Sequence, residues 1–431
     1  MKNKLFILSI LFTSTFVQAQ ESDLLNKYRT MALDYNYDIK AAEKNISASL
    51  ELEKAARADL KPKLSGNANA KYIGNPTTLD LNLPGLDAPI GFEGENFNYG
   101  ASLTLMQPIY TGGSILANIE MAKHQHALNV NVEENIRSAV YYQTTVQYWN
   151  TVARKEVLNI TREFEQSVLK LTQTIQERVD VGLIDPQDLL MAEVKLNEAK
   201  YQYLQAANNL SMGRMALNSL VGITLSEQTT LDADIPKIAD AYTILSVEAT
   251  THPELKIAMD KIEMQKSALK LTDSKYKAKV YIGADGSYSS PGYNFHKDLD
   301  PNYAVYAKVS VPIFEWGKRK NEKRISKQKI AMAEDAMYKT TDNIQLAIEQ
   351  ARIALSQAIE RAKLAEASLA KANENERMSV EKYSEGKISI VEVLNAQVYK
   401  QTSQLNFVQA KLATQNEYAS LVKALNRYDN Q

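Results

Sequence analysis

Residues 98–221 align with residues 302–425 at a constant offset of 204, without a gap. Asn98-Tyr99 falls on Asn302-Tyr303, Gln107-Pro108-Ile109-Tyr110 on Val311-Pro312-Ile313-Phe314, and Gly113 on Gly317. Farther along, Gly182 falls on Gly386, Asp188 on Glu392, Leu190 on Leu394 and Tyr203 on Phe407. Upstream the offset becomes 216 (Ile39 on Leu255), and the 12-residue difference lies in one loop, 74–96. A match of more than 120 residues with no insertion is a duplication of one architectural unit. Each copy is too long for a solenoid repeat, so two like halves point to a tube or frame. A catalytic pocket would more often break the symmetry.

Two kinds of segment alternate within each copy. Residues 114–181 and 318–385 contain neither Gly nor Pro. At a rise of about 1.5 Å per residue, each makes a helix of about 100 Å. Residues 22–61, 184–221, 244–278 and 387–427 read as helices of roughly half that length, so two placed end to end match one long one. Val157, Ile160, Phe164, Val168, Leu171, Ile175 and Val179 follow an eleven-residue repeat, which keeps a helix nearly straight. Leu394, Val398, Leu405, Val408, Leu412, Ala419 and Val422 follow steps of 4 and 3, the rhythm of a left-handed coiled coil. Periodicity alone suits an ordinary long antiparallel hairpin equally well. Gly182 and Gly386 stand between the arms, where a helix ends with positive φ.

The other kind of segment alternates every second residue. Gly66, Ala68, Ala70 and Tyr72 oppose Ser65, Asn67, Asn69 and Lys71. Tyr99, Ala101, Leu103 and Leu105 oppose Gly100, Ser102, Thr104 and Met106. In the second copy Val280, Ile282, Ala284 and Tyr288 oppose Lys279, Gly283, Asp285 and Ser287, and Tyr303, Val305, Ala307, Val309 and Val311 oppose Lys308 and Ser310. Strands of about ten residues, apolar on one face with an aromatic near the outer end, fit a transmembrane β-barrel. A single strand of this kind suits a half-buried soluble hairpin better; four of them, at matching places in two β-hairpins (about 64–109 and 279–313), reverse that preference. Four strands close no barrel, since the smallest have about eight, and open edges are excluded from lipid. Three protomers supplying twelve strands are the simplest closure. The hairpin tips, 74–96 and 289–301, are rich in Gly, Pro, Asn and Asp and are expected outside. Pro108 and Pro312 are expected to end the return strands at the junction of barrel and helix.

Lys2 and Lys4 precede an apolar run from Leu5 to Val17, and Val17-Gln18-Ala19 suits a signal peptidase. Residues 1–19 are therefore expected to be a cleaved secretory signal. With no Cys in the sequence, disulfides, thiolate metal sites and a lipid anchor on Cys are not expected. No later run approaches the roughly 18 apolar residues of a membrane helix, so entry into a bilayer would be as strands. Without the two signal lysines the balance is 48 basic to 51 acidic residues, which argues against nucleic acid as a partner. The expected organisation is a first repeat over 20–221, a linker over 222–243, a second repeat over 244–427 and a tail over 428–431.

The strand ends around Pro108 and Pro312 and the turns 181–193 and 383–395, taken with the duplication, resemble those of TolC-type outer-membrane efflux proteins. The resemblance covers essentially all of the chain after the signal. It implies a mixed fold of mainly long α-helices in a periplasmic helical barrel, with two β-hairpins giving four strands to a 12-stranded barrel of a homotrimer. The implied partners are a periplasmic adaptor, an inner-membrane transporter and outer-membrane lipid, and the location is the outer membrane of a Gram-negative bacterium. Val181, Gly182 and Leu183 match the adaptor-contact motif, with Glu385, Gly386 and Lys387 as its second-copy counterpart. Asp188 matches an acid that helps hold the periplasmic mouth shut, Tyr383 the tyrosine that pairs with it, and Glu392 an acidic ring position at the entrance. Ile388 stands where the best-known gate has an arginine, and Asn395 where it has a second acid. The expected lock is therefore either weaker or built on Lys387 or Arg178 instead, with a less negative entrance. Read without the resemblance, Asp188 and Glu392 are acids placed favourably at helix N-termini.

Enzymatic motifs are missing from the sequence: there is no nucleophile elbow, zinc helix motif or phosphate loop. His124 and His126 lie two apart on a helix and do not share a face; His252 and His296 are isolated. No cofactor or metal is expected. Trp149 lies beside the apolar stripe and is expected in the core; Trp316, just past a strand end, suits a membrane interface. Taken with the resemblance, this implies a passive export duct for small molecules or proteins, serving a tripartite efflux pump or type I secretion system. The alternative of a different class is a structural periplasmic or surface coiled-coil protein without a pore.

Overall fold

The structure is a computed structural model that describes residues 22–81, 84–85, 90–238, 245–246, 251–292 and 297–428. The expected signal, 1–19, lies outside the described residues, as do parts of the 222–243 linker, of both hairpin tips and of the C-terminal tail. In chain order the elements are α1 (Asp23–Tyr35), α2 (Tyr37–Ala58), β1 (Lys63–Tyr72), β2 (Thr78–Leu81), β3 (Ile90–Glu93), β4 (Phe97–Tyr110), α3 (Ser114–Asp180) and α4 (Pro186–Val221). The second copy gives α5 (Pro253–Ser274), β5 (Lys279–Ser290), β6 (Asp300–Ser310), α6 (Lys318–Ser384) and α7 (Ile390–Ala424). The bounds of α3 and α6 differ by 204 at both ends, and those of α2 and α5 by 216.

The described residues divide into two compact units: those within 22–40, 135–252 and 343–428, and those within 41–134 and 253–342. The second holds one antiparallel sheet in the order β1-β4-β5-β6. Its register keeps like faces together: Leu64 opposes Leu105, Leu105 opposes Ala284, and Ala284 opposes Val305. That face is bare, with Leu64 69%, Leu103 59%, Val305 76% and Val309 63% exposed. The opposite face carries Asn67, Ser102, Ser287 and Asn302 in one row.

The helical unit has a continuous core. Tyr148, Val152 and Leu217 are fully buried beside Leu25 and Ile235, and Trp149 lies among them as the sequence predicts. Along the eleven-residue stripe, Ile160, Phe164, Val168 and Ile175 are buried, while Val157, Leu171 and Val179 are partly so. The coiled-coil stripe of α7 buries Val408, Ala419 and Val422. An irregular strap, residues 224–236, is sewn across these helices by polar side chains. Asn218 Nδ2 donates to the carbonyls of Thr224 and Glu227 at 3.1 and 3.0 Å. Tyr148 donates to Asp232 at 2.8 Å, and Gln415 to the Pro236 carbonyl at 2.9 Å.

Three expectations need correction, and the first tip holds a pairing that the sequence reading did not include. The helix expected over 22–61 is two helices, because Asn36 ends one and starts the next. Its N–H donates to Ala32 O at 3.0 Å, while its side chain accepts from the N–H groups of Asp38 and Ile39 at 2.8 and 3.1 Å, as an N-cap does. The helix expected over 244–278 is described from Pro253, which suits a first helical turn, to Ser274; residues 244 and 247–250 lie outside the described residues. The first tip, 74–96, contains the short antiparallel pair β2–β3. Pro108 does not end its strand: β4 runs on to Tyr110 through a register shift between Pro108 and Tyr110. A bulge accommodates the missing N–H there. Pro312 does lie past the end of β6.

Candidate functional site

The gate and adaptor residues singled out from the sequence lie at the two helical turns, while Pro108 and Pro312 lie near the strand ends. Gly182 and Gly386 have φ of 74° and 73°. Leu183 N–H reaches Arg178 O at 2.8 Å and Gly182 N–H reaches Val179 O at 2.9 Å; Lys387 and Gly386 repeat this with Lys382 and Tyr383 at 2.9 and 3.0 Å. Both turns are therefore the same glycine-terminated helix end. A Cβ at either glycine would meet nothing within 4 Å, so the backbone angle, not space, calls for glycine. Val181 and Leu183 are 69% and 72% exposed beside the first glycine.

The chain restarts differently after each turn. Asp185 caps α4, accepting from Gln187 N–H at 2.8 Å, with Pro186 at the first helical position. On α7 the cap is Ser389, whose N–H donates to Glu392 Oε2 at 3.0 Å, one arm of a capping box. Glu392 is exposed and Asp188 half-buried in the first turns of α7 and α4. No hydrogen bond or ion pair to the Asp188 carboxylate occurs among the described residues.

Beneath the turns, Ile175, Ala192, Tyr383, Ile390 and Val393 form a buried cluster, with Ile388 and Leu394 packed against it. Ile388 thus fills an apolar seat. The Arg178 guanidinium lies 4.8 Å from the centre of the Tyr383 ring. The Tyr383 hydroxyl is buried with no hydrogen-bond partner among the described residues. Burial pushes this phenol up from its usual range; the Arg178 charge opposes that and Asp188 adds to it, with a net rise. Lys387 instead pairs with Glu385 at 2.6 Å. Of the two expected replacement cations, Arg178 is the one set against Tyr383.

A groove of about 440 Å³ opens between the starts of α4 and α7, where Leu190, Val194 and Val391 meet Asn395. Leu190 and Val194 are 61% and 60% exposed. Sequence reasoning missed this apolar lining, although Leu190 and Val194 stand at i and i+4, a visible signal. It also missed the buried glutamines of α7: Gln397 donates to Ser167 at 2.9 Å and Gln401 to Gln202 at 2.8 Å. His124 and His126 face different helices, one 3.4 Å from Asp260 and the other 3.0 Å from Ser49.

The duplicated pattern of hairpin and long helix is matched by a known family. The outer membrane efflux protein family matches residues 29–223 and 250–427, and the chain belongs to it. It is 20% identical over 291 residues to the solvent efflux pump outer membrane protein SrpC of Pseudomonas putida, a match taking in 67% of this chain and 60% of that relative. The chain therefore spans less than two thirds of that relative's length. Among solved structures it is similar to the Campylobacter jejuni CmeC outer membrane channel (TM-score 0.77, 19% identity, 94% of this chain and 85% of that one). It is also similar to the outer membrane protein VceC of Vibrio cholerae (TM-score 0.77, 15% identity, 93% and 95%). These likenesses establish the fold: long helices joined to four strands per protomer.

Proposed function

We propose that the chain is the outer-membrane exit duct of a tripartite efflux pump or type I secretion system, acting as a homotrimer after loss of residues 1–19. The observation that carries this is the bare sheet face, on which Leu64, Leu103, Val305 and Val309 are all more than half exposed. Such a face in water would be an aggregation site; in lipid it is at home. Strands β1 and β6 each have a free edge, which hydrocarbon excludes unless copies join edge to edge. Three copies supply twelve strands, a size known for such barrels, and the polar face then lines the lumen.

In this reading the mouth lies at the turns. A periplasmic adaptor docks on Val181, Gly182 and Leu183 and on Glu385, Gly386 and Lys387. Its binding separates the helix pairs and releases contacts of Asp188 and Tyr383, with Arg178 as the supporting cation. Glu392 from three copies forms a ring that favours cations, and the inner-membrane transporter supplies the energy. The test is single-channel conductance of purified protein in planar bilayers, with millimolar divalent cation added to either side. Discrete cation-selective steps blocked from one side support the duct. Silence from both the folded oligomer and its Asp188→Arg variant would return the chain to a structural coiled-coil role.

A further inference from the structure

The duplication supplies an internal control for the junction between the last strand and the second long helix. Residues 313–329 carry seven basic and two acidic side chains, where the matching 109–125 carry one lysine and one glutamate. Ile313, Phe314 and Trp316 are 95%, 70% and 89% exposed, and the last two rings meet edge to face at 4.9 Å. Trp316 has a φ of 47°, while its counterpart Gly112 has 68°. A tryptophan in the left-handed region is strained where glycine is not. The chain thus tolerates strain to display an indole directly before a cationic helix.

The charges that follow are also unfavourable locally, since the first turn of a helix repels cations. Asp273 of α5 takes Arg319 at 2.9 Å and Lys323 at 3.1 Å. Lys318, Lys320, Arg324, Lys327 and Lys329 are exposed and form no ion pair among the described residues. Lys320, Arg324 and Lys327 fall on one stripe, spaced by 4 and 3. An exposed aromatic pair just past the last strand of the apolar sheet, followed by a cationic stripe, fits a membrane interface bearing negative headgroups. At the β1 edge a second copy offers no unpaired acid at the foot of its helix among the described residues. Joining β6 to β1 would bring up the end of α2 and the turn after it, where Glu51, Glu53 and Asp59 are already paired with Lys54, Arg57 and Lys63.

We propose that residues 313–329 are a docking surface for anionic phospholipid, with Phe314 and Trp316 seated among the upper acyl chains and Lys318, Lys320 and Arg324 holding the phosphodiester headgroups. The proposal rests on the membrane reading above. It assigns the second copy, and not the first, as the element that selects the lipid around the base of the barrel.

Trp316 is its own reporter, because the other tryptophan, Trp149, is 3% exposed in the helical core. The full chain is reconstituted in phosphatidylcholine vesicles holding equal fractions of either brominated phosphatidylglycerol or brominated phosphatidylcholine, and a Trp316→Phe variant supplies the blank. Quenching by the anionic lipid is expected to exceed that by the zwitterionic one by about threefold or more at low salt. The ratio is expected to fall toward one in molar salt and in a Lys318→Gln, Lys320→Gln, Arg324→Gln variant, whose altered residues are all exposed. Equal quenching by both lipids would overturn the proposal, as would no quenching by either, which would mean that a second copy covers Trp316. Conductance across the same membranes reads the duct separately. Selective quenching without conductance removes the duct and leaves the docking surface; conductance with equal quenching removes the docking surface alone.

Discussion

Glu156 and Lys411, 255 residues apart in the chain, form a 2.8 Å ion pair whose side chains are only 12% and 7% exposed. The same carboxylate accepts the Ile235 N–H at 2.6 Å, so one buried pair ties α3, α7 and the strap together. Lys411→Ala strands a buried carboxylate and is expected to cost about 3–5 kcal/mol. The double variant Glu156→Gln, Lys411→Met leaves no buried charge and should cost clearly less than the single. Urea unfolding of the three proteins checks this; a double variant worse than Lys411→Ala would refute it.

Tyr383 buries a hydroxyl without a hydrogen-bond partner among the described residues, while Arg178 covers its ring. Tyr383→Phe is therefore expected to be neutral or to stabilise the helical unit by up to about 1 kcal/mol. Arg178→Gln should cost about 0.5–2 kcal/mol through the lost cation–ring contact. Thermal melts of both variants test the pair. A large loss in Tyr383→Phe would show that the hydroxyl has a partner, either Arg178 or a group from another protomer.

Three glycines with positive φ are expected to rank by surroundings as well as by angle. Gly182→Ala and Gly386→Ala enter open space and should cost about 1 kcal/mol each from backbone strain alone. Gly222→Ala has a similar angle, but its Cβ would run into the Tyr35 ring, so its cost should exceed theirs. Equal destabilisation of all three would contradict the close approach of Tyr35.

Acid stability should carry the signature of Asp273. Burial raises its pKa, but hydrogen bonds and charge from Arg319 and Lys323 outweigh that and hold it at about 2. A carboxylate depressed in the fold contributes stability that is present above its ordinary pKa of about 3.9 and is lost as pH falls through the folded value. Between pH 4 and 2 the protein should lose stability more steeply than its Asp273→Asn variant. Parallel acid-unfolding curves would remove the assignment.

The sequence by itself determined the duplication, the extents of α3 and α6, the strand alternation and the glycine turns, because each is a periodic or single-residue signal carried by neighbours in the chain. It also determined the apolar stripe of α3, of which Ile160, Phe164, Val168 and Ile175 are buried as the spacing predicts. Tertiary structure decided the rest. The break at Asn36 depends on side-chain capping in a stretch that looks helical throughout, and Pro108 stays within its strand only because a partner strand permits a bulge. Arg178 meets Tyr383 across 205 positions, and Glu156 meets Lys411 across 255. Such contacts leave no local trace: a buried charge reads like a solvated one until folding brings its partner beside it and removes the water.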